Sequence, residues 1–559
     1  MSPSSPTEFD IIFAGGGATA CVVAGRLAAC DSSLKILILE AGEHTLDKPA
    51  HVQPYQYPFH MAPTSTTLTF NFGNPSPRLN GRSLIVPSGR SVGGGSTINF
   101  GAYTRPPASD YDDWAVEGWE SKNLIPLMKK LETYEVQPGC PTHGYTGPVK
   151  VSPGGHKLGI CEEFIRVGTT YHKRPYSDDT NDLETCNTYS RSDAAHCYIY
   201  NQAQNPNLQI WVGKRVTRVI FEDKRAVGIE FTNDPVSCPD ADRSLSTVKA
   251  SKLVVVSAGA FGSPAILERS GIGAEAVLKR CGIKPFVSLP GVGENYTDHD
   301  VVLVPYLAAD EAVTMDPLWR GEESVTKNAL AQWTSNGKSL IASNGVDAKI
   351  KWRPDGDELK AMGSAFQTAM EQCVAIFSLI AGYIGPLVGT LPPRNYMMAA
   401  YFTLYPASTG SVHIKVDENG KEALDFTPGF LDESLYNYYY SFSELAEAHP
   451  KFPEGSAAAC GEASGPVDLN TPDIIYTAED DEAIEKYHRD CVQTTWHSLG
   501  TCAMKPQAEQ GVVDARLNVY GVTNLKVADM SINTYSTALL IGEKAAMIIA
   551  EDLGIDFNV

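Results

Sequence analysis

The sequence predicts an α/β fold: a mostly parallel, Rossmann-like sheet covered by helices, with a second, α+β domain built on an antiparallel sheet and inserted into it. Three observations predict it. An apolar strand, a glycine-rich turn, a helix and a second apolar strand follow one another within residues 9–42. Glycine-rich segments recur at 85–120, 205–305 and 480–559, so one unit is assembled from separated pieces. The stretches between them lack such motifs and are richer in aromatics. The expected division is 1–154, 205–305 and 480–559 for the first domain, and 155–204 with 306–479 for the second.

The first element is FDIIFAGGGATACVVAGRLAA, residues 9–29, followed by LKILILEAG, residues 34–42. FDIIFA has strand length. Gly15, Gly17 and Ala20 fit the pattern G-x-G-x-x-G/A, and CVVAGRLAA continues at helical spacing. Gly15 permits the tight turn, Gly17 lets the backbone approach a pyrophosphate, and Ala20 keeps helix and sheet close. The helix N-terminus offers unpaired N–H groups and the positive end of its dipole to phosphates. Glu40, 20 residues past Ala20, is placed to accept hydrogen bonds from ribose hydroxyls. The unit predicts dinucleotide binding without separating NAD from FAD.

The second glycine segment, GRSVGGGSTINFGAYTRP, residues 89–106, puts Gly93 to Gly95, Ser96 and Thr97 in a polar loop flanked by apolar runs. Its backbone N–H groups suit a diphosphate or ribityl chain, and a second cradle argues for a large, extended cofactor. Residues 216–231, VTRVIFEDKRAVGIEF, alternate around a charged turn and read as a hairpin. LVVVSAG reads as a buried strand, Pro264 can begin the helix after it at its first turn, and Gly271 and Gly273 end it. LPGVGENYTDH, residues 289–299, reads as a tight turn. TTWHSLGTCAM, residues 494–504, reads as the end of a helix running into a strand or loop, with His497 between Trp496 and Ser498. TYSTALLIGEKAAMIIAEDL forms the last helix, with Asn533 just before it.

Composition narrows the function. With 45 basic and 66 acidic residues the chain carries a net charge of −21, which repels nucleic acid and anionic membranes. The 12 cysteines are scattered without CxxC, and HExxH is absent, so no metal site is expected. Residues 373–391 are uncharged over a length near that of a membrane span, but their glycines and β-branched residues favour buried strands. No secretory signal or peroxisomal tripeptide is recognisable, and an intracellular location, cytoplasmic or peroxisomal, is expected.

Together, GRSVGGGSTINFGAYTRP, GAFGSPAILERSGIG, LPGVGENYTDH, TTWHSLGTCAM and the N-terminal fingerprint resemble the glucose-methanol-choline oxidoreductase family, and within it the fungal alcohol oxidases. The resemblance implies FAD as cofactor. Gly15, Gly17, Thr19, Ala20 and Glu40 would hold its ADP half, with Val216 beside the adenine. Gly94, Ser96, Asn99, Asp529 and Asn533 would meet the flavin half or its linker. His497 would be the catalytic base of alcohol oxidation, assisted by Asn533. Phe100 and Trp496 would narrow the substrate pocket toward small primary alcohols. Dioxygen as acceptor would give aldehyde and hydrogen peroxide; a quinone acceptor, or a flavin protein without turnover, are the alternatives. The resemblance also allows a homo-oligomer. Compared with alcohol oxidases, the connection before Asn533 and the stretches 181–196 and 436–452 read short.

Overall fold

In the computed structural model, the described residues are 8–152, 156–170, 176–177, 179, 181, 188–189, 193–352, 360, 375–385, 391–406, 408–431, 477–530 and 535–557. The chain opens with β1 (Glu8–Ala14), α1 (Ala18–Cys30) and β2 (Ile36–Leu39). Residues 11–14 and 36–39 are fully buried, the continuous apolar pattern of strands covered on both faces. β3 (Leu208–Trp211) pairs parallel with β2. The expected hairpin is present as β4 (Lys214–Glu222) and β5 (Arg225–Asn233), with a two-residue turn at which Asp223 takes a positive φ of 49°.

The long strand β6 (Ser246–Val256) organises the sheet. One edge pairs parallel with β1, from Lys249 to Val256. The other edge takes β5 antiparallel near its start and β12 (Leu525–Val527) parallel near its end. The resulting seven-stranded order is β4-β5-β6-β1-β2-β3, with β12 on β6. β12 is thus brought from more than 260 residues away to the carboxyl end of β6, which places Asp529 beside the first cradle. The last helix, here α3 (Tyr535–Leu553), packs its buried face on α1.

A second, five-stranded antiparallel sheet has the order β8 (Ala348–Trp352), β9 (Ala375–Ile380), β10 (Tyr396–Thr403), β7 (Asp300–Leu307), β11 (Gln493–Thr494). β9 lies within the uncharged stretch 373–391 and is paired on both sides, as expected of a buried strand. Among the described residues no helix is long and apolar enough to cross a membrane.

The expected start of one helix needs correction, and three expected domain assignments meet contacts that cross them. The helix after β6 is α2 (Gly259–Arg269), which begins five residues before Pro264. Proline has no N–H for the carbonyl of Ala260, and the Thr501 hydroxyl donates to that carbonyl instead, at 2.7 Å. The helix therefore runs through the proline on a bond supplied from 237 positions further on.

At the expected division at residue 204, Ala194, Ala195, Tyr198 and Ile199 sit in the same core as β1 and α1, and the Tyr198 hydroxyl donates to Glu543 of α3 at 2.9 Å. Likewise, β7 belongs wholly to the antiparallel sheet although residues up to 305 were expected in the first domain. The strand pair Ser411–Val416 and Glu422–Thr427, expected in the second domain, docks on α2. Glycine motifs mark turns, whereas these attachments are made by side chains distant in sequence.

That docking carries a pH-dependent contribution. His413 Nδ1 lies 2.7 Å from Glu268 of α2 and Nε2 lies 3.1 Å from Glu294. Burial lowers the imidazole pKa, but the hydrogen bonds to both carboxylates more than offset this and hold it up at about 9. A pKa raised on folding gives stability that is full below about 6.5 and lost as pH rises through about 9. His413→Gln is expected to destabilise the protein by on the order of 2–3 kcal/mol near pH 6, and by progressively less toward pH 9. Denaturant melts of both proteins across that range check it; a difference independent of pH would show that His413 is not charged in the fold.

Candidate active site

One cavity of about 2000 Å³ runs from the first glycine turn to the antiparallel sheet. It exceeds the 300–1,000 Å³ usual for small ligands, as an extended dinucleotide with a substrate beyond it requires. Gly15, Gly17, Thr19, Glu40, Gly94, Ser96, Asn99, Phe100, Val216, Trp496, His497 and Asp529 all line it. Residues spread over more than 500 positions are thereby brought to one space. Ala20 is buried outside the lining, in the first turn of α1, where its small side chain suits close packing.

The first cradle is shaped by its glycines. Gly15 has φ +107°, and a Cβ there would stand 2.5 Å from the Ser257 carbonyl oxygen at the end of β6. Gly94, at φ +54°, lies so close that its Cβ would stand 2.9 Å from Gly17 Cα. The two glycine loops therefore touch, joined by the Gly93 N–H donating to the Gly16 carbonyl at 2.8 Å. No side chain caps the start of α1, so its N–H groups face the cavity as a phosphate site would need.

Glu40 follows β2 and is buried. Its two oxygens each accept one backbone N–H, from Gly16 and from Gly42, both at 2.8 Å. Burial raises its pKa; the bonds from Gly42 and Gly16, and the Arg90 guanidinium, oppose that. Each oxygen retains further lone-pair capacity, so the carboxylate shapes the cradle and still has acceptor sites for ribose hydroxyls.

Other expected contacts are qualified by their partners. The Thr19 hydroxyl donates to the Ala538 carbonyl of α3 at 3.1 Å. The Ser96 hydroxyl donates to the Gly93 carbonyl at 2.7 Å and accepts the Ala194 N–H at 3.1 Å. Both side chains hold elements together, and sequence spacing does not reveal that. Asn99 accepts the Gly101 N–H at 3.0 Å. Asp529 accepts the Gly259 N–H at 3.0 Å and the Ser263 hydroxyl, at the start of α2. Burial pushes Asp529 up to about 6 despite both bonds.

At the opposite end, His497 is partly exposed to the cavity, and Thr495 Oγ1 lies 3.1 Å from its Nδ1. Burial, and then the neighbouring His299, push its imidazole down to about 3, so it is neutral and able to accept a proton at ordinary pH. Trp496 and Phe100 stack, with centroids 5.9 Å apart and planes 28° from parallel. Asn533, the whole stretch 436–452 and much of 181–196 lie outside the described residues.

Sequence reading missed the group around Asp298. LPGVGENYTDH reads as a turn, yet it carries a buried carboxylate and His299, whose ring lies 5.4 Å from that of His497, centroid to centroid. An acid-histidine pair at the entry of a strand was the available signal. Lys349 and Lys351, alternate residues of β8, also line the cavity and were not anticipated.

Family models described as GMC oxidoreductase match residues 9–301 and 406–538. An alcohol oxidase of Candida boidinii is 40% identical, over 98% of this chain and 96% of that protein. Alcohol oxidase 2 of Komagataella phaffii is 38% identical over the same shares. The first of these alignments runs over 642 residues, more than the 559 of this chain, so the Candida protein carries segments that this one lacks. Among solved structures, a formate oxidase superposes with TM-score 0.81 at 20% identity, covering 98% of this chain and 99% of its own. An FAD-dependent oxidoreductase from Chaetomium thermophilum gives 0.77 at 22% identity, covering 98% of this chain and 100% of its own. At that identity the likeness is one of fold.

Proposed function

The chain belongs to the glucose-methanol-choline oxidoreductase family, and on that footing we propose that it is an FAD-dependent oxidase of small primary alcohols. The observation that carries this reading is the single cavity in which the dinucleotide cradle and a neutral histidine are both exposed. When bound, FAD supplies a two-electron acceptor for the hydride leaving the carbinol carbon. Gly15, Gly17 and the start of α1 receive the pyrophosphate, Glu40 the ribose, and Val216 the adenine side. Gly94, Asn99 and Asp529 border the flavin half.

His497 takes the hydroxyl proton as the carbon–hydrogen bond breaks, leaving the aldehyde. Dioxygen takes up the two electrons and two protons and departs as hydrogen peroxide. Phe100 and Trp496, stacked at the cavity wall, exclude water and bulky polar groups from the reacting carbon. Asn533 is proposed to donate to the same substrate oxygen, and the protein to work as a homo-oligomer.

The test is anaerobic bleaching of the purified protein's flavin by a panel of alcohols, followed by oxygen uptake compared with reduction of an artificial quinone. Bleaching by methanol or ethanol with matching peroxide release is expected. Flavin that no alcohol bleaches would refute the reading, and turnover with quinone alone would move it to a dehydrogenase. Phe100→Ser is expected to shift the ratio of kcat/KM between a polyol and ethanol toward the polyol by about tenfold, the discrimination that a small change in an apolar pocket wall supplies. An unchanged ratio would remove Phe100 from substrate selection.

A further inference from the structure

The loop bearing His497 is bent at an unfavourable place. Trp496 has φ +65°, a region in which a bulky side chain is a backbone outlier that its surroundings must enforce. What encloses it is Asp298, a buried carboxylate just before β7. Oδ1 accepts the backbone N–H groups of His299 at 2.8 Å and His497 at 3.0 Å, and the Thr495 hydroxyl at 3.3 Å. Oδ2 accepts three hydroxyls: Thr494, closely, Tyr296 at 3.2 Å and Ser498 at 3.3 Å. The Thr494 hydroxyl in turn accepts the Trp496 N–H at 2.9 Å. Both sides of the left-handed residue are therefore tied to one carboxylate.

The same group bears on the proton of His497. The Thr495 hydroxyl has a single hydrogen, and two partners that can only accept claim it: Asp298 Oδ1 and the His299 carbonyl, each at 3.3 Å. Toward His497 Nδ1, at 3.1 Å, the Thr495 oxygen is then the acceptor. Nδ1 carries the hydrogen, and Nε2 keeps the lone pair that a base needs.

Resting on the reading of His497 as base, we propose that Asp298 is the positioning residue of the reaction: it fixes the place of His497 through the His497 N–H, and its tautomer through Thr495. Acceptor geometry, rather than charge, does this. Every backbone donor meets Oδ1, whereas the hydroxyls on Oδ2 can rotate to accept. An asparagine with its oxygen at the first position therefore keeps the anchor.

The experiment uses the flavin-loaded full chain and four variants: Asp298→Ala, Asp298→Asn, Thr495→Val and His497→Ala. Three quantities are read: the limiting rate of anaerobic flavin reduction per bound flavin, the apparent Kd for alcohol, and the rate at which diethyl pyrocarbonate modifies His497, followed by peptide mass spectrometry. Asp298→Ala should lower the limiting rate about 10²–10³-fold, with the apparent Kd within threefold, and alter His497 modification at least fivefold. Asp298→Asn should stay within tenfold of wild type in rate and leave modification unchanged. Thr495→Val, which keeps shape and loses the acceptor, should lower the rate about 10- to 100-fold, the direction expected of a lost tautomer.

A merely structural carboxylate would lower flavin content or Tm in Asp298→Ala but leave the rate per flavin intact, and that result overturns the proposal. An unchanged rate in Thr495→Val overturns it as well, even if Asp298→Ala does not fold. Loss of rate in Asp298→Asn equal to that of a folded Asp298→Ala, or beyond tenfold where Asp298→Ala does not fold, would show that charge matters and overturn the acceptor argument. His497→Ala separates the two levels: wild-type rate in that variant removes the base reading itself, whereas a slow His497→Ala beside a wild-type Asp298→Ala removes only the positioning role.

Discussion

Replacement of His497 by alanine is expected to lower the rate of flavin reduction by alcohol about 10²–10⁴-fold while FAD stays bound. An alcohol hydroxyl is far too weak an acid to lose its proton unaided, so the barrier includes that proton unless a base takes it during hydride departure. Burial and His299 push His497 down to about 3, which keeps the imidazole neutral across the working range. The same low pKa makes the imidazole a reluctant keeper of the proton, so its position beside the reacting oxygen matters more than its basicity. FAD retention should be untouched, because the residues proposed for the ADP half lie at the other end of the cavity. Rapid-mixing absorbance of anaerobic protein with saturating ethanol measures the rate. A value within threefold of wild type would take His497 out of the chemistry.

Glu40→Gln should weaken FAD binding by more than tenfold. Each Glu40 oxygen accepts an N–H, from Gly16 or Gly42, and glutamine must turn its NH2 toward one of these donors. The cradle then carries a buried donor facing a donor, and the ribose loses a charged acceptor. One bond to a charged group is worth about 1.5–3 kcal/mol, and 1.4 kcal/mol is already tenfold in affinity. Fluorescence titration of flavin-stripped protein with FAD gives the constant. Wild-type affinity in Glu40→Gln would mean that the carboxylate serves the loop alone. Reduction per bound flavin should remain near wild type, which distinguishes this defect from that of His497.

The sheet core was legible because its signal is local. FDIIFA and LKILIL are continuous apolar runs on either side of a glycine turn, and residues 11–14 and 36–39 are fully buried, as such runs require. The hairpin at 214–233 was legible for a similar reason, since its alternation and charged turn lie within 20 consecutive residues. The start of α2 was not. Pro264 reads as a first-turn residue, and the bond that lets the helix begin earlier comes from Thr501. The membership of residues 194–199 in the first core was equally hidden, because the apolar residues they pack with, and the Glu543 that takes the Tyr198 hydroxyl, are distant in sequence.

The site divides along the same line. Gly15, Gly17, Glu40, Gly94 and His497 were legible in the sequence, since each stands in a motif with its own chemical reason or a family counterpart, and the structure brings all five to one cavity. The roles of Thr19 and Ser96 were not, because their hydroxyls are occupied by partners on other elements. Asp298 stands within a stretch that reads as a turn, and of the donors it gathers Thr494, Thr495, His497 and Ser498 lie about 200 residues further on, where its neighbours in the chain cannot announce them.

By itself, the sequence determined β1, β2, β6 and the hairpin of β4 and β5, the glycine turns, the family and the identity of the candidate base, all of which are written in residues that are neighbours in the chain. Only the tertiary structure decided that β12 joins β6 and sets Asp529 at the start of α2, that the two glycine loops touch, and that one carboxylate holds both sides of Trp496. The physical reason is that buried donors and acceptors must be paired, and in a chain of this length the partners that satisfy them come from hundreds of residues away.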